Sequence, residues 1–129
     1  MKMMIRMMAI AMLMAVAVPA YSADAAMQYF KCQQEDGATD EQLEAQASAW
    51  LKAAHGMKGG ENLKAYLNFP VVAQMGEYDF FFVIVAPSLA EWGEFMANYS
   101  GSDVEQVDDE FEKLAVCPDS VLFEGVKVK

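Results

Sequence analysis

Two hydrophobic periods alternate along this chain, and they predict its elements in order. Residues 27–33 form a short run with aromatic side chains, read as a first strand, and Glu35, Asp36 and Gly37 turn the chain. Thr39 and Gln42 then form a capping box, which satisfies the orphan N–H groups of a helix start. Leu43, Ala47, Trp50, Leu51 and Ala54 follow at helical spacing, up to a stop at Gly56. Residues 66–73 read as a second strand, residues 74–77 as a hairpin link containing Gly76, and residues 78–86 as the strongest strand. That strand is a run of β-formers, Phe80 to Val85, stopped by Pro87. Ser88 with Glu91 reads as a second capping box and opens a second helix carrying Leu89, Trp92, Met96 and Tyr99, ended by Gly101. Ser102 with Glu105 reads as a third capping box and opens a third helix, carrying Val104, Val107, Phe111 and Leu114, broken by Cys117 and Pro118. Residues 121–128 are the last strand.

The order β-α-β-β-α-(α)-β is that of a ferredoxin-like α+β domain, with an antiparallel four-stranded sheet and helices on one face. Such a sheet sets the last strand beside the first and the second strand at the far edge. Pro70, inside the predicted second strand, suits an edge, where a missing donor is tolerated. Cys32 and Cys117 fall near the end of the first strand and just before the last, where antiparallel neighbours meet, so a disulfide is expected between them. If Ala73 faces Tyr78 across the hairpin, Leu67, Phe69, Val71, Phe80, Phe82 and Ile84 share the face under the helices. The other face carries Tyr66, Asn68, Pro70, Val72, Asp79, Phe81, Val83 and Val85, too apolar for water yet holding polar groups.

The beginning of the chain modifies this picture. Lys2 and Arg6 precede an apolar run over residues 7–18, and small residues follow Pro19. The run is too short for a membrane span of roughly 20 residues and reads as a signal peptide over residues 1–22, cleaved after Ser22 or else after Ala25. Residues 23–129 then form a single domain in the periplasm or outside the cell, where two cysteines pair. From Ala23 onward 7 Lys and Arg stand against 19 Asp and Glu, a net charge of −12. That balance argues against nucleic acid and, after signal cleavage, against an anionic membrane surface.

A one-sided sheet must cover its free face. The element order, the aromatic third strand and the extra helix before the last strand resemble the dimeric α/β-barrel superfamily, which includes the antibiotic-biosynthesis monooxygenase and NIPSNAP types. The resemblance is one of pattern over residues 23–129. It implies a homodimer and a cavity between sheet and helices, and it leaves the reaction open. Cofactor-independent monooxygenases of this type steer an aromatic substrate with polar groups. On that model Tyr66, Asn68 and Asp79 are candidate ligand-binding residues, with Asp79 as a base, and Trp92 is a candidate wall of the cavity. Some members hold haem through a helical histidine, a role open here only to His55, the single imidazole.

No nucleophile set, phosphate loop or metal-ligand spacing is present, and no cofactor is expected. The acidic run Asp108, Asp109, Glu110 and Glu112 lacks a calcium-loop pattern and reads as a solvated helix face. The expectation is a binding or interaction domain for a small apolar or aromatic molecule, with a monooxygenase-like or isomerase-like enzyme as the alternative.

Overall fold

The computed structural model describes residues 25–128. The proposed signal peptide therefore lies outside the described residues. Seven elements follow in order: β1 (Ala25–Gln34), α1 (Asp40–His55), β2 (Lys64–Asn68), β3 (Phe80–Ala86), α2 (Leu89–Tyr99), α3 (Asp103–Phe111) and β4 (Ala115–Gly125). The sheet order is β2-β3-β1-β4, and every neighbouring pair is antiparallel, the ferredoxin-like arrangement.

All three helix starts are capped by the expected side chain, but only α1 completes the expected capping box; the boxes expected at Ser88–Glu91 and Ser102–Glu105 are not reciprocal. Thr39 and Gln42 complete the reciprocal box of α1. Ser88 and Ser102 accept the N–H groups of Glu91 and Glu105. The Glu105 carboxylate passes over its own cap residue and takes the Gly101 N–H at 2.6 Å.

The helices bury the sheet face that carries Ala26, Phe80, Phe82, Ile84 and Ala86. Trp50 on α1 lies at the centre, edge-on to Phe82 at 5.2 Å and to Phe95 of α2 at 5.8 Å. Gln46 ties α1 to α3 by donating to the Val107 carbonyl at 3.0 Å.

Two strand expectations need correction. β2 stops at Asn68, so Pro70 lies beyond the strand, and residues 69–79 form a long connection instead of a four-residue hairpin link. The proline supplies no ladder donor and restricts Phe69 before it, so pairing ends there. Phe69 packs on Phe80, ring centroids 5.5 Å apart, while Val71 and Val72 lie almost fully in solvent. At the other end, β4 begins at Ala115 and carries Cys117 and Pro118 within it. β4 is an edge strand, and the β1–β4 register shifts between Lys31 and Gln33. The bulge leaves Pro118 without a pairing duty.

The Cys32–Cys117 disulfide is formed across this bulge and joins residues 85 apart in sequence. The β2–β3 register pairs Leu67 with Phe82, not with Ile84 as the expected hairpin requires. That slip is two residues, an even number, so the side chains that do pair, residues 64–68 with 81–85, keep their expected faces.

Candidate functional site

The helix-covered face does not close completely. Between β1, β3, β4 and the helices α1, α2 and α3 lies a pocket of about 220 Å³. Its walls are mainly aromatic: Phe30 and Phe82 from the sheet, Trp50, Phe95 and Phe111 from the helices. Cys117 lines it too, so the disulfide is part of the wall.

Four polar residues line the pocket: Gln28, Tyr99, Asp108 and Glu112. Gln28 is on β1 in alternation with Ala26, Phe30 and Cys32, and is nearly fully buried. Its amide oxygen accepts the Trp92 indole N–H at 3.0 Å, and its amide nitrogen lies 3.5 Å from the Ser120 hydroxyl. Trp92 thus acts at one remove, orienting the amide that reaches the cavity. Tyr99 donates its hydroxyl to Asp108 Oδ2 at 2.6 Å. Burial raises the Tyr99 phenol well above its usual range, and the Asp108 carboxylate adds to the effect, so the hydroxyl stays protonated and keeps donating.

Asp108 corrects one expectation. It is only partly exposed and lines the pocket, whereas Asp109 and Glu110 are exposed outside it and Glu112, which lines the pocket too, is exposed. Burial raises its carboxyl above the usual range. The Tyr99 hydrogen bond opposes that shift, and Asp109 and Glu105 reinforce it. An acid raised in the folded state weakens folding above its folded pKa, and this deficit disappears below the unfolded value of 3.8. Asp108→Asn is therefore expected to stabilise the protein at pH 7 by on the order of a few tenths of a kcal/mol, since solvent screens a half-exposed group. The gain should shrink as pH falls and vanish below about 3.8. Paired urea titrations of the two proteins at pH 7 and pH 3.5 measure it.

The residues singled out from the sequence are dispersed. Tyr66 and Asn68 lie on β2, paired with Val83 and Phe81, on the sheet face away from the helices. Tyr66 borders a second, open cavity of about 390 Å³ between β2 and α1. Asp79 is committed to the backbone: its Oδ2 accepts the Gln34 N–H at 2.8 Å, and its own N–H goes to the Cys32 carbonyl at 2.8 Å. His55 ends α1 with Nε2 2.8 Å from the Leu63 carbonyl. Neither cavity is lined by Asn68, Asp79, Trp92 or His55. Among the described residues, no group of three or more His, Cys, Asp or Glu is placed to hold a metal ion.

Sequence reading missed Gln28, Tyr99 and Asp108 as a group. A signal for Asp108 was present: Val104, Asp108 and Phe111 follow one another at spacings of four and three, so the acid shares the buried stripe.

No family model matches the chain, and no curated protein matches it. Among solved structures, RPA0582, a protein of unknown function from Rhodopseudomonas palustris, aligns with a TM-score of 0.44 at 15% identity, over 84% of this chain and 85% of that one. The putative chlorite dismutase TA0507 gives 0.49 at 11% identity, and the alignment covers 81% of this chain but 44% of that chain. At3g17210 from Arabidopsis thaliana gives 0.55 at 9% identity, over 81% of this chain and 96% of that one, a likeness of fold.

Proposed function

We propose that this chain is an exported binding domain which pairs with a second copy through its free sheet face and takes one small aromatic molecule into the 220 Å³ pocket. The observation that carries the reading is the pocket itself: aromatic walls around a small set of oriented polar groups, the usual make-up of a ligand site. An apolar cavity of about 150 Å³ accepts benzene, so this one suits one or two fused rings. Calorimetric titration of the oxidised mature protein with 2-naphthylmethanol is expected to show saturable binding at one site per chain. Ala115→Leu, which fills the cavity from β4, should remove that binding while thermal unfolding stays cooperative. Absence of saturable binding of this alcohol and of its amine and carboxylate counterparts by the parent protein overturns the reading.

The free face supports pairing. Tyr29 stands at its centre, edge-on to Phe81 at 6.1 Å and to Phe123 at 5.7 Å. Tyr66 and Phe123 are about half exposed. Among the described residues, the one ion pair on this face is internal, Lys31 with Asp119 at 3.6 Å. The mature chain, of net charge −12, repels its copies over most of its surface, and a face that sets Lys31 and Lys64 beside Asp119 repels a copy least. Light scattering on the mature protein is expected to give twice the chain mass, and Phe123→Glu to give the monomer.

Export rests on the signal-like residues 1–22 and on the disulfide, which suits an oxidising compartment. Among the described residues no helix is long and apolar enough to cross a membrane. Cleavage after Ser22 leaves β1 whole, whereas cleavage after Ala25 removes its first residue. The enzyme reading through Tyr66, Asn68 and Asp79 has less support, since Asp79 serves the backbone and none of the three lines the aromatic pocket. Haem at His55 is likewise less supported, with Nε2 already held by Leu63.

A further inference from the structure

The aromatic pocket has an electrostatic imbalance. No Lys, Arg or His lines it, while two carboxylates, Asp108 and Glu112, do. The three ion pairs among the described residues are Lys31–Asp119, Lys58–Glu94 and Lys113–Glu110, and none includes either acid. Asp108 receives one neutral donor, the Tyr99 hydroxyl. Uncompensated half-buried charge is unfavourable, and a protein gains by removing it unless something that binds there answers it.

Building on the pocket reading, we propose that this cavity selects an organic ammonium: an aromatic body against Trp50, Phe82 and Phe111, with its cationic head on the Asp108 carboxylate. The ammonium supplies the missing counter-charge, and its N–H groups donate to Asp108 alongside Tyr99. The same ring faces that hold the body attract a cation electrostatically. An anionic ligand of the same shape meets two carboxylates and no donor stronger than an amide or a phenol. A neutral alcohol fits but leaves the imbalance in place. The raised Asp108 carboxyl agrees with this geometry, because a positive head restores the ionised form.

The experiment compares three isosteres by calorimetry on the oxidised mature protein: 2-naphthylmethylamine, 2-naphthylmethanol and 2-naphthoate. The amine is expected to bind about tenfold more tightly than the alcohol, the value of one charged hydrogen bond, with the naphthoate weakest. Asp108→Asn should bring amine and alcohol close to parity, while Asp36→Asn, an exposed turn acid outside the pocket, should leave the preference intact. Tyr99→Phe frees the carboxylate and should preserve or increase it. Equal binding of amine and alcohol by the parent protein overturns the ammonium proposal and leaves the aromatic pocket standing. An amine preference that survives Asp108→Asn also overturns it, since general surface acidity would then be the cause. Failure of all three ligands to bind overturns both.

Discussion

Replacing Cys32 and Cys117 together by alanine is expected to lower unfolding stability by about 4–5 kcal/mol, the entropy of an 85-residue loop released into the unfolded chain. Domains of this size hold roughly 5–15 kcal/mol in all, so the variant should be at best marginally folded. The enclosed loop contains α1, β2, β3, α2 and α3, which is why the crosslink acts on almost the whole domain. Urea titration of the oxidised protein with and without a reducing agent measures the same quantity without mutation. A reduced protein as stable as the oxidised one would show that the sheet registers itself. Pocket binding should fall with reduction, because Cys117 is part of its wall.

The second large effect is expected at Gly59. Its φ of +84° is unfavourable for any L side chain, and an added Cβ would overlap the backbone nitrogen of Phe95. The left-handed backbone costs an alanine roughly 1–2 kcal/mol and the collision with α2 a further 1–3 kcal/mol. Gly59→Ala should therefore destabilise by about 3 kcal/mol, a fall in Tm on the order of 15 °C. Gly37 provides the control: its φ is also +84°, but a Cβ there meets nothing within 4 Å. Gly37→Ala should show the backbone part alone. The difference between the two melting temperatures isolates the contact of the α1–β2 loop with α2, and equal losses at both sites would refute that contact.

How much of this was legible depends on which residues carry the signal. The helices were readable because Thr39, Ser88 and Ser102 cap them and their apolar stripes repeat over two or more turns. The disulfide was readable because the element order brings two distant strands together. The end of β2 was not: Val71 and Val72 are strong β-formers, and propensity does not report that Pro70 stops the ladder before they can pair. The start of β4 was hidden for the opposite reason, since a Cys-Pro break in sequence is tolerated at a bulged edge. At the site, Tyr66, Asn68 and Asp79 drew attention as polar groups on a sheet face. The pocket formed behind that face, from residues on three strands and three helices whose convergence no local pattern records. Asp108 was partly legible, but the acids beside it masked its inward position.

β1, the first element of the domain, is an inner strand that pairs with β3 on one side and with the last strand, β4, on the other. A growing chain thus makes its sheet centre first and the partner that completes it last. Until residues near 125 have emerged, β1 has an open edge and Cys32 has no Cys117 to meet. Long-range pairing of this kind is slow, because loop closure must precede any gain from contact. The topology therefore holds back completion of the sheet until β4 has emerged, and the crosslink that fixes the domain is the last long-range contact that can form.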